Sequence, residues 1–342
     1  MAYKVLITEA VNEKGLDFLR EQGFELVIGT GPSEETLLKE CIDCDGALTR
    51  NGKFTRKVLE TCKKLKVVSM HGVGVDGIDV DAASDLGIQI TNAAESNQRS
   101  VAEYTISLLL NLAKKTILYN NGTKAGSEGM AAVRKIYGND VYGKTLCIIG
   151  MGKIGSQVAR MAHFGLGMKV IGYNRHITKP QEADFGILTP DMDDLISKAD
   201  YLSLHLPSNA GTDGLLNERR LSLLKPTACL INCGRGEIID EAYLIKMLQE
   251  GRLRGAALDV FIGNLPKEDN PLLKMDNVIT TPHTAAFTTE ALEEMSYQAA
   301  LGVAEVLQGR PVTYAVNHLG KATSDAGIAA VVNFFRHEFN YN

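Results

Sequence analysis

The chain has 342 residues, 45% of them hydrophobic and 23% charged, which is ordinary globular material and enough for two domains. Its 36 Lys and Arg against 41 Asp and Glu leave a net charge of -5, with no basic block able to neutralise nucleic-acid phosphates, so DNA and RNA are not expected partners. The opening MAYKVLITEA has no basic n-region or cleavage site, and no apolar stretch approaches the roughly 18 residues of a membrane span, so a cytoplasmic protein with reduced thiols is expected.

Short apolar runs alternate with helical patterns from the start: KVLIT, NEKGLDFLREQG, FELVIG, SEETLLKECID, GALTR, TRKVLETCKK and KVVSMH. This β-α-β-α-β-α-β order predicts a parallel sheet covered on both faces, because parallel neighbours need crossovers and helices supply them. A long helical stretch, SVAEYTISLLLNLAKKTILYNN, follows. A second alternation then begins at KTLCIIGMG, with strands TLCIIG, KVIGYN, YLSLHL, ACLINC, GAALDV and NVIT. One more long helix, TTEALEEMSYQAALGVAEVLQG, is left over and is expected to fold back onto the first unit. The expected domains are a discontinuous one, 1–96 plus 288–320, an inserted one, 97–287, and a tail, 321–342.

Cys41 and Cys44 form a C-x-x-C, but no second cysteine or histidine pair accompanies it and its segment reads as an amphipathic helix, so a structural role is expected and no metal site.

Gly150, Gly152 and Gly155 stand in G-x-G-x-x-G spacing directly after a strand and open a helix. In that context the first glycine makes the turn, the second lets backbone approach a pyrophosphate, and the third lets helix and strand pack closely. Dinucleotide binding follows. The acid that grips the adenosine ribose at the end of the next strand is missing, because Asn174 stands in its place and Arg175 follows. An amide removes repulsion against a 2′-phosphate and a guanidinium can bind it, so NADP(H) is the expected cofactor, with NAD(H) as the other option.

Arg235 in LINCGRGEIID and His283 in VITTPHTAAF both follow strands of the second unit, at the sheet edge where open α/β folds bind ligands. An Arg forks onto a carboxylate and polarises a carbonyl, and a His exchanges a hydroxyl proton near neutral pH. Together they point to a small 2-keto or 2-hydroxy acid. His205 reads as a packed strand histidine, and His71 precedes the glycine loop GVGVDG.

The motifs HGVGVDGIDVDAA, NQRSVAEYTISLLL, GKTLCIIGMGKIG, SLHLPSNAGT, INCGRGEIID, ALDVF and TPHTAA occur in one order, and over about 4–317 the chain resembles the D-isomer-specific 2-hydroxyacid dehydrogenases. That family includes phosphoglycerate dehydrogenases and glyoxylate and hydroxypyruvate reductases. The resemblance implies two doubly wound α/β domains, a Rossmann cofactor domain inserted into a flavodoxin-like substrate domain, with chemistry in the cleft between them. It also implies a homodimer formed through the helix starting near Asn97. By the same resemblance Arg235 binds substrate and His283 is the acid in ketone reduction, while Val73 and Gly74 present N–H groups to the carboxylate and Arg50 faces the substrate. Lys153 and Ile154 sit at the pyrophosphate, Pro207 and Thr212 border the adenosine, and Cys233 and Asp259 lie near the nicotinamide.

One departure stands out. The family's third catalytic residue, a Glu, falls here on Asn264, five positions after Asp259. An amide keeps the hydrogen bond to the histidine and loses most of the ion-pair attraction, which at about 4 Å and an effective dielectric near 20 is roughly 4 kcal/mol before desolvation. Glu268 and Asp269 are alternative carboxylates for the same role. Two rival readings remain at the level of sequence. One is a dinucleotide-sensing interaction protein similar to the family's co-repressors. The other is a formate dehydrogenase-like oxidoreductase, in which an amide partners the histidine.

Overall fold

A computed structural model describes residues 2–319. The chain divides into two compact units, one formed by Met1–Ser96 with the chain from Glu293 onward, the other by Asn97–Leu292. The tail expected at 321–342 lies outside the described residues.

The first unit is built on β1 (Lys4–Ile7), β2 (Glu25–Ile28), β3 (Gly46–Thr49), β4 (Val67–Met70) and β5 (Gln89–Asn92), joined by α1 (Glu13–Glu21), α2 (Glu34–Glu40), α3 (Arg56–Thr61) and α4 (Val80–Asp85). All five strands are parallel, in the order β2-β1-β3-β4-β5. Strands buried on both faces are apolar at most positions, and β3 (GALT) and β4 (VVSM) are buried throughout, the hydroxyls of Thr49 and Ser69 being hydrogen-bonded to those of Thr8 and Thr91. Alternation sends Leu6, with Ala47, Val68 and Ile90, to the face covered by Leu37 of α2 and Val58 and Leu59 of α3. Val5, Ile7, Leu48 and Val67 point the other way, onto Leu16 and Leu19 of α1.

The first unit holds one strand more than the four legible in the sequence. GIQITN forms β5 because α4 is stopped by Gly87 at φ 72°, which returns the chain to the sheet edge. Cys41 and Cys44 are buried in this core beside Cys62, and a hydrogen bond to Cys62 together with burial pushes the Cys41 thiol up.

The second unit opens with α5 (Gln98–Lys114), α6 (Thr116–Lys124) and α7 (Gly126–Val133). The stretch that reads as one long helix is broken at Lys115, which adopts a left-handed φ of 56° while its N–H bonds Asn111 O at 2.8 Å. The apolar pattern runs on past this point, but α6 buries no side chain, so packing no longer holds the two segments in line.

The sheet that follows contains β6 (Thr145–Ile149), β7 (Lys169–Tyr173), β8 (Gln181–Ala183), β9 (Gly186–Thr189), β10 (Tyr201–Leu204), β11 (Cys229–Asn232), β12 (Gly255–Leu258) and β13 (Val278–Thr280). Its helices are α8 (Lys153–Arg160), α9 (Met192–Lys198), α10 (Glu218–Leu221) and α11 (Glu241–Gln249). The order is β13-β12-β11-β10-β6-β7-β9-β8, parallel except for β8, which pairs antiparallel with β9. This is the doubly wound order whose direction reverses between β6 and β10. The β8–β9 hairpin is absent from the sequence reading, because strands this short at a sheet edge carry little periodicity of their own.

The last helix, α12 (Thr289–Leu307), places Ala299, Ala300, Val303, Ala304 and Leu307 against Val5, Ile7, Leu48 and Val67 of the first sheet. Small residues along this stripe let the helix lie close on the strands. Among the described residues no helix is long and apolar enough to cross a membrane, and no cluster of His, Cys, Asp and Glu is arranged to hold a metal.

Candidate active site

The glycine loop between β6 and α8 has the shape its spacing requires. Gly150 has φ 104°, and a Cβ there would lie 2.5 Å from His205 O. At Gly155 a Cβ would lie 2.1 Å from Gly150 O, so only glycine lets α8 pack against its strand. Gly152, the N-cap of α8, is the opposite case, since a Cβ there would meet no protein atom. Backbone is therefore bare where a phosphate would approach, and Lys153 and Ile154 form the positive first turn of α8 beside it. The residues present fit a dinucleotide.

At the end of β7, Asn174 donates its N–H to Thr189 O of β9 at 2.9 Å and accepts the His176 N–H on Oδ1 at 2.9 Å. The turn holds the Asn174 amide group half-buried beside Arg175, whose Nε donates to His176 Nε2 at 3.3 Å. After β10, Thr212 Oγ1 donates to Pro207 O at 2.6 Å, so the two residues expected at the adenosine close one loop. His205 hydrogen-bonds Ser203 Oγ through Nε2 at 2.9 Å, and its Nδ1 is buried without a partner. Burial pushes this ring down to about 4, which keeps it neutral.

The chemistry-bearing loops follow β11, β12 and β13. Asn232, fully buried at the end of β11, accepts the Gly234 N–H at 3.0 Å and donates to Arg235 O at 2.8 Å, fixing the turn that presents Arg235. The Arg235 Nη1 donates to Gly234 O at 2.8 Å. Cys233, two residues before Arg235 in that turn, is a neutral thiol, pushed up by burial to about 12.

Asp259 is fully buried at the end of β12. Its carboxylate accepts from Thr281 Oγ1 at 2.7 Å, Thr284 N at 2.9 Å and Ala285 N at 3.0 Å, and its backbone O accepts the His283 N–H at 2.8 Å. Four bonds from one residue thus clamp the loop carrying His283, which takes a left-handed φ of 55°.

Asn264 closes a tight turn with Phe261, donating its N–H to Phe261 O at 2.8 Å, and its Oδ1 bonds the His283 Nδ1. The carbonyl accepts, so Nδ1 carries the hydrogen and Nε2 is the position at which a proton is exchanged. Glu268 and Asp269 are both exposed on the loop that follows, and it is Asn264 that meets the imidazole.

In the first unit, β4 runs into a glycine turn in which Asn92 Nδ2 donates to Val73 O at 2.7 Å and Ala93 N donates to Gly72 O at 2.8 Å. Among the described residues no acceptor meets the N–H groups of Val73, Gly74 and Val75, which leaves three consecutive backbone amides available as donors. His71 is buried below this turn, its N–H on Thr49 O at 2.7 Å. Arg50 follows β3 in the same unit, with Nη1 at 3.5 Å from Ala10 O.

The residues singled out from sequence thus fall into two groups, those expected at the substrate in the first unit, and those expected at the cofactor and in catalysis in the second. Sequence reasoning missed the residues that hold them, Asn92, Asn232 and the clamp on Thr281. Asn232 sat inside a quoted motif, and a polar residue ending an otherwise apolar strand was the available signal.

A doubly wound sheet with a glycine cradle at its first crossover, and an Arg and a His on loops at its carboxyl edge, is the architecture of a dinucleotide-binding fold. The sequence model for "D-isomer specific 2-hydroxyacid dehydrogenase, NAD binding domain" matches residues 106–285, and the chain belongs to that family. It is 40% identical over 316 residues to a D-3-phosphoglycerate dehydrogenase of Methanocaldococcus jannaschii, covering 92% of this chain and 59% of that protein. The chain therefore spans about three fifths of the relatives it matches.

Among solved structures, the TT0316 protein from Thermus thermophilus is 31% identical with a TM-score of 0.81, over 92% of this chain and 100% of its own. The NADPH-dependent glyoxylate/hydroxypyruvate reductase of Sinorhizobium meliloti, in complex with NADP and malonate, is 27% identical with a TM-score of 0.83, over 94% of this chain and 100% of its own. The family and the fold read from the motifs are both borne out, and these relatives favour neither rival reading.

Proposed function

We propose that the chain catalyses reversible hydride transfer between NAD(P)H and C2 of a small 2-keto or 2-hydroxy acid. The observation that carries this reading is the His283–Asn264 hydrogen bond on a loop clamped by Asp259, at the same sheet edge as Arg235. Reduced nicotinamide supplies the hydride when bound. Arg235 grips the substrate carboxylate and polarises the keto oxygen, and His283 Nε2 delivers the proton that the new alkoxide needs. Asn264 holds the ring so that Nε2 points outward, and Asp259 keeps the loop from drifting. The free amides of Val73 and Gly74 receive the substrate carboxylate.

Within the same proposal the cofactor is NADPH in preference to NADH, supported by the amide at Asn174 beside Arg175. The substrate is of the hydroxypyruvate, glyoxylate or 3-phosphoglycerate class, in keeping with the names of the relatives. A homodimer through the helix that begins near Asn97 is supported by apolar side chains left exposed after it, Ile117 in α6, Met130 in α7 and Tyr137 beyond α7. A cytoplasmic setting is supported by six cysteines that are all free thiols.

The test is a keto-acid panel assayed with NADH and with NADPH, followed at the nicotinamide absorbance. Turnover of hydroxypyruvate, glyoxylate or 3-phosphohydroxypyruvate is expected. Stoichiometric dinucleotide binding with no turnover of any member would overturn the proposal.

A further inference from the structure

An open sheet ordered β2-β1-β3-β4-β5 reverses direction between β1 and β3, and ligands of such sheets bind in the crevice beyond those two strand ends. β1 and β3 pair in register, Ile7 opposite Leu48. The chain leaving β1 reaches Glu9, and the chain leaving β3 reaches Arg50 and Asn51, so the three residues flank the reversal point.

Glu9 spends its carboxylate on the opposite strand end. Its Oε2 accepts the N–H of Arg50 at 3.1 Å and of Asn51 at 2.7 Å, and its Oε1 accepts Asn51 Nδ2 at 2.7 Å. Thr8 Oγ1 donates a weaker bond to Oε2 at 3.3 Å and is itself bonded to Thr49 Oγ1 at 2.8 Å, which accepts the Gly52 N–H at 2.8 Å. Every backbone N–H from Arg50 to Gly52 is thereby used, two of them by one carboxylate. Bonds to an ionised acceptor are stronger than neutral ones, and a carboxylate is acceptor-only, so no neutral side chain of similar size reproduces this pattern.

We propose that Glu9 is a positioning residue for substrate binding, setting the Arg50–Asn51 turn so that the Arg50 guanidinium meets the anionic end of the substrate. The proposal rests on the 2-keto acid reading and on Arg50 as a substrate residue. A carboxylate so near an anion site repels substrate unless its charge is absorbed, and the donors of Arg50 and Asn51 absorb it. Glu9 touches no reacting atom in this account and acts only through the turn.

Steady-state kinetics of Glu9→Gln, Glu9→Asp, Arg50→Met and the double variant Glu9→Gln/Arg50→Met test this, with NADPH binding and thermal melting as controls for folding. Glu9→Gln places an amide where Asn51 Nδ2 and two backbone N–H groups need acceptors. It should raise KM for the keto acid about fivefold or more, with kcat and the NADPH KM within about twofold of the parent. Glu9→Asp, still a carboxylate, should recover part of that loss. The double variant should show no KM beyond that of Arg50→Met, because both changes remove one function.

A parental KM in Glu9→Gln beside a raised KM in Arg50→Met overturns the role of Glu9 alone. A parental KM in Arg50→Met overturns the assignment of Arg50 and the proposal with it, while continued turnover leaves the dehydrogenase reading standing. Additive effects in the double variant also overturn it. Should Glu9→Gln fail to bind NADPH as a folded protein, Glu9→Asp carries the comparison, and a parental KM there, where the shorter side chain cannot span both donors, overturns the proposal.

Discussion

The imidazole of His283 donates from Nδ1 to the side-chain carbonyl of Asn264, and both residues hold left-handed backbone, at φ 55° and 83°. Non-glycine residues seldom adopt this region, and each costs about 1–2 kcal/mol there, so the surroundings must hold both in place. Asp259 does so for His283 and the Phe261 turn for Asn264.

An amide in this position fixes the ring without a charge to favour the imidazolium. Ketone reduction needs the protonated ring, so its rate falls as pH rises through the histidine pKa. Asn264→Glu adds an anion beside Nδ1, which stabilises the charged ring, raises that pKa and shifts the falling limb to higher pH. The pH profile of kcat/KM checks this, and a limb that stays put removes His283 as the proton donor.

Arg235→Lys should lower kcat/KM about a hundredfold or more, because a point charge cannot hold carboxylate and carbonyl in one plane as the guanidinium fork does. Near-parental kinetics in that variant would mean that the substrate anchor lies elsewhere.

Asn174→Asp should move cofactor preference toward NADH. A carboxylate repels a 2′-phosphate and accepts from a 2′-hydroxyl, and one charge-assisted contact contributes about 1.5–3 kcal/mol, or roughly tenfold to a hundredfold in the ratio of kcat/KM values. Equal efficiency of the parent protein with both cofactors would contradict the premise.

His205 gives a stability prediction. Burial lowers its pKa from 6.5 to about 4, so the unfolded chain takes up a proton before the folded one does. Stability is then fully present above pH 6.5 and is lost as pH falls toward 4, with a ceiling near 3 kcal/mol that partial exposure of the residue reduces. His205→Asn should flatten the drop in Tm between pH 7 and pH 5. An unchanged drop would place the acid sensitivity on other groups.

The alternation of apolar runs and helices was legible because parallel strands buried on both faces leave few polar positions to blur them, as in VVSM and TLCII. The glycine loop was legible for the same reason that it works, since steric limits at Gly150 and Gly155 permit no other residue. What the sequence did not show is how the loops are held. Asp259 belongs to a quoted motif, but its hold on Thr281, Thr284 and Ala285 joins residues more than twenty positions apart, a pairing that no local pattern encodes. The break at Lys115 was hidden because the apolar pattern persists where burial stops, and β5 because its sequence, QITN, holds a single apolar residue, Ile90.

The Asn174 N–H is held by the carbonyl of Thr189, the last residue of β9, and β9 together with β8 forms the rim of its sheet. A rim hairpin can lengthen, shorten or change sequence without disturbing the strands that carry Gly150, Arg235 or His283. If Asn174 faces the ribose as proposed, drift in that hairpin would tilt its turn and alter the choice between the two dinucleotides while leaving Arg235 and His283 untouched. On the proposed assignment of Asn174, cofactor choice would be a detachable trait of the fold, open to selection through a ribbon at the rim of the sheet.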